Sequence, residues 1–516
     1  MLLCMAIAFS EMEKADNALH PIVTLIPYLI SYCLFRVMFS LHHECMTVVL
    51  VMVLGVLCLK ELYEGYTQIF MNFGMKTGQE ICIGSFSNSG LYGCFLAVCA
   101  STFVACCVKV RNRCIKILLI VLTVLSLLLL PVTMSRASLL AFVASVVLLM
   151  SKYRWSKLFV RRNWILLSVL VLLLGTGAYV IKKPSADGRM LMNRIGMHII
   201  KRNGLSGVGR GYYAGAYGEE QCCFFMDLVE NKGDEIGING IPESLRKTAD
   251  CPRYAFNEYL KVGAENGPIS MLLLVALIIV CIKDTYKSSI CWCYPLLALA
   301  VFALFSYPFE TKFFTYLLTV FLASAGKTEN TRVLYIVFYC LIAFIACIHI
   351  KTARGDTYKT MVRLNQYKGE NIFECQPDVL LFKDFQADSY NWVDQNTLFY
   401  CGQAYNKSGE YHKSDSILKI GTLISSDPMF WNVMGNNSLA LGNFREAEER
   451  YKHAFYMVPN RLYPLYLLAK LYHTEGDSAR FLKMADLIET FEPKIESIKT
   501  ERLRSEIREI KTTYQK

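Results

Sequence analysis

CPRYAFNEYLKVGAENGPISMLLLVALIIV, residues 251–280, decides how this chain is read. Its first part gathers Arg253, Asn257, Glu258, Lys261 and Glu265, and everything after Ser270 is apolar. Gly267 stops a helix, and Pro268 suits the first turn of the next one. The stretch therefore predicts a short helix over 256–264 at the mouth of a membrane span. On that helix Lys261 lies one turn from Asn257 and Glu265, and three residues from Glu258. Two readings stay open: a solvated face laced with salt bridges, or a polar wall bordering a substrate cavity at the bilayer surface.

The rest of the chain agrees with a membrane setting. It has 516 residues, 54% of them hydrophobic, and a mean hydropathy of +0.33, too high for a soluble protein of this size. Full or near-full spans are read at 22–40, 46–60, 88–108, 115–133, 137–150, 164–182, 268–282, 290–307, 312–326 and 333–350. The expected fold is all-α, a polytopic helical membrane protein of about 10–12 spans. The formal net charge of +11 does not indicate nucleic acid as a partner, because much of it sits in two acid-free links. KVRNRCIK (109–116) and SKYRWSKLFVRRN (151–163) are strongly basic, and such links are retained on the cytoplasmic side. Alternation then places Lys283, Lys287, Lys327 and Arg332 inside as well. Residues 61–87, 131–136, 183–267 and 306–312, and all after 350, fall outside.

Most of the twenty cysteines, Cys99, Cys106 and Cys347 among them, lie in apolar runs and behave as small hydrophobes. No zinc spacing is present. Cys222, Cys223 and Cys251 share a polar loop and could pair in an oxidising compartment. The opening MLLCMAIAFS lacks a basic start and reads as the tail of a membrane helix rather than a signal peptide.

The outer loop 183–267 is the longest link, and it is expected to fold against the membrane face. Asp187 is a candidate cap for a helix from Arg189 to Arg202, ended by Asn203–Gly204. Beyond 350 the composition turns soluble. Residues 351–390 read as a helical linker, and a repeat follows over 391–516. Gly409, Gly442 and Gly476 recur at nearly even spacing, as do Pro428, Pro459 and Pro493. The period is close to the ~34 residues of the tetratricopeptide pattern, a stacked-hairpin α-solenoid.

Several residues could carry chemistry. Arg136, in MSRASLLAF, is either a snorkelling cation or a functional one flanked by Ser135 and Ser138. GLSGVGRGYYAGAYG (204–218), with Arg210 at its centre, is either a flexible surface loop or a run of backbone N–H groups converging on an anion. Arg189, expected one residue inside a helix N-terminus, favours the anion reading, as do Lys201 and Arg202. His198 is read as incidental.

From about 46 to 326 the chain resembles the O-antigen ligase family. The motifs fall in the family's order: KELYEGYTQIF (60–70), GSFSNSGLYGCFLA (84–97), MSRASLLA (134–141), GRMLMNRIGMHIIKRNGLSGVGRGYY (188–213), FNEYLKVGAENGPIS (256–270) and SYPFETKFF (306–314). The tailed architecture is similar to Bacteroidetes-type members. The resemblance implies transfer of a glycan from a polyprenyl diphosphate on the periplasmic face of the bacterial inner membrane. The acceptor would be a hydroxyl of lipid A core or of a protein Ser or Thr, or another lipid-linked glycan in related polymerases. No metal or nucleotide cofactor is implied. Arg136, Arg189 and Arg210, with Asn257 and Lys261, would hold the diphosphate. The family's His is replaced by Phe256, which takes no proton. Glu258 and Glu265 are then the candidate base or activator, with Arg189 counted among the catalytic groups. The rival class is a non-enzymatic exporter or scaffold, with Arg36 as a mid-span charge and the tail recruiting a protein partner.

Overall fold

The computed structural model describes residues 19–72, 82–152, 183–230, 240–325 and 395–514. The expected spans at 164–182 and 333–350 and the whole of the linker 351–390 lie outside them. Among the described residues there are helices and turns and no strand. In chain order the helices are α1 (Leu19–Asn72), α2 (Ser89–Lys109), α3 (Arg113–Leu129), α4 (Arg136–Lys152), α5 (Lys183–Asn203), α6 (Tyr213–Glu230), α7 (Glu243–Thr248), α8 (Glu258–Ser288), α9 (Ile290–Ala303) and α10 (Lys312–Ala323). After residue 394 come α11 (Gln395–Lys407), α12 (Tyr411–Ile424), α13 (Met429–Ala440), α14 (Phe444–Met457), α15 (Tyr463–Glu475), α16 (Ser478–Thr490) and α17 (Ile498–Tyr514).

They fall into two compact units. The first takes residues 1–183, 205–207 and 255–350. Its centre is α2, where every residue from Leu91 to Phe103 is buried. A helix apolar on all sides must be enclosed, and this one is. Ser101 satisfies its hydroxyl on the Ala97 carbonyl and on Ser145 of α4, both at 2.7 Å. Outward faces are apolar too: Val48, Met52 and Val56 follow one another along α1 at helical spacing and are exposed, as a lipid-facing stripe would be. Helices α2 and α8 and the Pro27–Asn72 part of α1 are long and apolar enough to cross a membrane; Arg136–Met150, Cys291–Ala303 and Lys312–Ala323 are shorter apolar helices.

α1 is two limbs. His42 breaks the helix with φ −141°. Before it, Tyr28 packs on Tyr316 at 4.8 Å, Ser31 meets Thr319 at 3.2 Å, and Arg36 donates to the Ala323 carbonyl at 3.0 Å. The first limb thus runs alongside α10 in the same direction. After the break, Thr47 takes the Trp292 indole N–H at 3.2 Å, and the Glu61 carbonyl takes the Tyr92 hydroxyl at 2.8 Å. Since Phe314 stacks on Phe86 at 5.8 Å, α10 starts at the end of the unit where the second limb finishes. The limbs therefore run in opposite directions, and they coincide with the expected spans 22–40 and 46–60.

These pairings give the unit two ends. One holds Lys109, Arg111, Arg113, Lys116, Lys152 and Lys287 at helix termini; Lys152 there bonds the Tyr286 carbonyl. The other holds the start of α8, the turn Pro308–Glu310, the start of α4 and the link 82–88.

The second unit takes 184–204, 208–254 and 351–516. The outer loop, expected to fold against the membrane face, thus packs mainly with the C-terminal helices. Successive helix pairs there turn at Gly409, Gly442 and Gly476, with φ of +81°, +78° and +81°, the left-handed C-cap that glycine adopts without penalty. Gly435 lies against the Tyr451 ring and Gly402 against Leu418, so a side chain at either would collide.

Candidate active site

The short helix expected over 256–264 is the beginning of α8, which starts at Glu258. Asn257 is its N-cap: the side-chain oxygen accepts from the N–H of Tyr259 at 3.0 Å and of Leu260 at 3.1 Å. That oxygen closes the helix end, an occupation beyond the diphosphate contact expected of this residue. Gly267 interrupts α8 with φ +85° and ψ +161°, and the apolar run follows Pro268.

Glu258 is 2% exposed and Glu265 is 4% exposed. Seven residues apart, they lie two turns along one face, with Lys261 between them. A carboxylate taken out of water needs partners. Glu258 accepts from the backbone N–H of Phe309 at 2.7 Å, and Lys261 forms an ion pair with Glu310. The turn 308–310 is thereby tied to the first turn of α8. Phe256, which the resemblance led us to expect at the site in place of a His, meets Tyr307 edge to face at 5.1 Å. Tyr307 accepts from the Asn88 side-chain amide at 3.1 Å, and Asn88 caps α2 through Leu91 N–H at 2.8 Å.

A second knot adjoins this one. Glu61, 6% exposed, accepts from the Ser85 N–H at 3.0 Å and from the Ser85 hydroxyl. Gln68 accepts from the N–H groups of Ile83 and Gly84, both at 2.9 Å. The motif 60–70 therefore holds the motif 84–88, which in turn holds Tyr307. Glu61, Gln68, Tyr307 and Glu310 were not among the expected site residues. All four stand in the motifs that carry the family resemblance, and that was the available signal.

The arginines separate. Arg136 is the first residue of α4 and half-buried. Ser138 reaches the Gly90 carbonyl at 3.4 Å, which sets the start of α4 beside the start of α2. Arg189 and Arg210 belong to the second unit. Arg189 does not sit at a helix N-terminus: α5 begins at Lys183, so Asp187 is interior and no cap. Pro184 supplies the start signal, being favoured in a first turn. Of the expected arginines, Arg136 stands at a helix N-terminus and Arg189 does not. Arg210 is exposed, and Arg202 is engaged by Glu220 at 3.1 Å.

The glycines of 204–218 have packing duties. A Cβ on Gly207 (φ +69°) would stand 2.5 Å from the Glu265 carbonyl group, and one on Gly267 would strike the Leu205 carbonyl. The 205–207 turn and the break in α8 can touch only because both lack side chains. Cys222, Cys223 and Cys251 are all free thiols. Cys222 is buried against His453 at 3.6 Å, and burial pushes the Cys251 thiol up to about 11; the disulfide considered for this loop is not formed.

Residues 121–275 match the family model described as O-Antigen ligase. The matched stretch takes in Arg136, Arg189, Arg210, Asn257, Glu258, Lys261 and Glu265. No match was found among curated proteins. The O-antigen ligase match, with the apolar helices, supports a membrane glycosyltransferase of the ligase or polymerase type.

Proposed function

We propose that this chain transfers a glycan from a polyprenyl-diphosphate carrier to an acceptor hydroxyl, at the end of its membrane unit where α8 begins. The observation that carries the proposal is the coincidence of the family match with a pair of buried carboxylates at that end. The opposite end gathers the lysines and arginines that cytoplasmic links retain, so the α8 end faces the periplasm.

The chemistry follows from the groups present. As the glycosidic C–O bond to phosphate breaks, negative charge grows on the leaving diphosphate. Arg136, fixed at the N-terminus of α4, is suited to stabilise it, with Lys261 as a second candidate contact; Arg189 and Arg210 stay candidates on the sequence resemblance alone. The acceptor oxygen forms the new bond to the anomeric carbon and gives its proton to a carboxylate. Glu258 is the preferred base, because Phe256 cannot serve and Glu258 is already oriented by the Phe309 N–H. Glu265, whose backbone packs on Gly207, is assigned to shaping the site. The C-terminal hairpins are taken as tetratricopeptide units, on the strength of their glycine turns and small-residue contacts.

Deleting the protein in its host and comparing lipopolysaccharide ladders with glycoprotein stains tests the assignment and separates the acceptors. A lost ladder marks lipid A core, shortened ladders mark a glycan acceptor, and lost protein staining marks Ser or Thr. Unchanged glycans together with loss of a co-purifying partner would support the scaffold or exporter reading instead.

A further inference from the structure

The second unit contains an internal interface of unusual specificity. Helix α6 lies across α12 and α14, the second helices of two successive hairpins. Gly215 lets it approach so closely that a side chain there would strike the carbonyls of Thr422 and Leu423. One turn on, Gly218 faces Ser426 and Met457. The next turn presents Gln221, 1% exposed. Its amide donates to the Asp250 carbonyl at 3.0 Å and to the Met457 carbonyl, and its oxygen accepts from Tyr217 at 2.7 Å.

From the other side, Asn460, 4% exposed, donates to the carbonyls of Arg246 at 3.0 Å and Ala249 at 2.7 Å. Ser426 donates to the Pro252 carbonyl at 2.9 Å. The Arg246 guanidinium lies 4.5 Å from the Phe491 ring, and His453 pairs with Glu219 at 3.2 Å. Both of Asn460's bonds and the Gln221 bond to the Met457 carbonyl cross the interface, and buried amides paired in this way specify a single register, because leaving them unpaired is costly.

We infer that the C-terminal helical array is an intramolecular clamp on residues 213–230 and 240–254, held closed in the working protein, rather than an arm that is free on this side to recruit a partner. Gln221 and Asn460 are its buried locks, and Gly215 and Gly218 admit the close approach. The clamped stretch begins with α6 at Tyr213, three residues after Arg210. Any partner of the tail must use a different face from the one that α6 covers.

The test uses the full-length protein with a specific protease site placed within 351–394. After cleavage in detergent, the fragment carrying the C-terminal helices is expected to stay with the membrane fragment through purification, and Gly215→Val is expected to release it. In a Gly218→Cys/Ser426→Cys variant, the new Cβ would lie 3.4 Å from that of Ser426, near the disulfide range of about 3.5–4.5 Å. Mild oxidation should join the fragments on a non-reducing gel, above the background set by Gly218→Cys alone, and leave glycan transfer within twofold of the reduced protein. Release of the wild-type fragment, absence of the crosslink, or a severalfold fall in transfer on oxidation that reductant reverses would overturn the inference. Should Gly215→Val fail to accumulate, the crosslink decides. Fragment retention and crosslinking need no enzymatic activity, so they stand or fall separately from the transferase assignment.

Discussion

At the start of α8, two carboxylates lie buried two turns apart, and one of them is held by a backbone N–H of a neighbouring turn. In the stretch 204–218, the central cation Arg210 is exposed, and the inaccessible positions include the glycines 207 and 209. Both regions are polar, and both lie within the O-antigen ligase match. They differ in what burial demands. An enclosed carboxylate requires partners, and a site that supplies them while keeping the charge is equipped for proton or ion chemistry. An enclosed glycine requires only that nothing else fit. The first pattern points to function and the second to packing, although each draws on residues the sequence marks equally.

Substitutions can break that contrast, and the largest effect is expected at Gly207. Gly207→Val joins a backbone penalty of about 1–3 kcal/mol for the left-handed conformation to a collision with the Glu265 carbonyl. It should sharply lower the amount of folded protein on immunoblots and in thermal unfolding. Gly204→Ala, at φ +62° with nothing within 4 Å, should show only the backbone part and accumulate nearly normally. Equal losses at the two positions would remove the packing argument.

At Arg136, alanine should cut transfer on the order of 100-fold, comparable to losing one donor to a developing oxyanion. Lysine should recover part of the loss, since it keeps the charge and lacks the fork. Measured by glycan ladder intensity at matched protein level, wild-type transfer in Arg136→Ala would reassign this residue to a snorkelling role. Tyr307→Phe removes the hydroxyl that Asn88 meets and should cost about 0.5–1.5 kcal/mol of stability, read as a modest fall in melting temperature. The smallest effect belongs to Arg202→Ala. Its guanidinium is occupied by Glu220 at the surface, so transfer should be unchanged and stability should drop by no more than about 1 kcal/mol.

Much of the first unit was legible in sequence. Apolar runs locate the limbs of α1, α2 and the late part of α8, because lipid demands continuous apolar helices. Gly267 announced the break in α8, because a residue without a Cβ is the one that adopts φ +85° freely; the cap at Asn257 was not read, since the helix was expected to start at Phe256. The position of Arg189 was misjudged, because Pro184 starts α5 earlier than Asp187 would have. The packing of 208–254 on the C-terminal helices could not be read either: Gln221 and Asn460 look like ordinary surface amides until their distant carbonyl partners are known. Glu61 and Gln68 were hidden for the same reason, since their partners lie 15 to 24 residues away in the sequence.

The most direct test of the central claim is Glu258→Gln, compared with wild type in purified, lipid-reconstituted protein supplied with a polyprenyl-diphosphate glycan and its acceptor. Glutamine keeps an oxygen for the Phe309 N–H and removes the charge. Transfer is expected to fall at least ~100-fold, with carrier binding and melting temperature close to wild type. Full transfer by Glu258→Gln would show that this buried side chain is structural and would contradict the account.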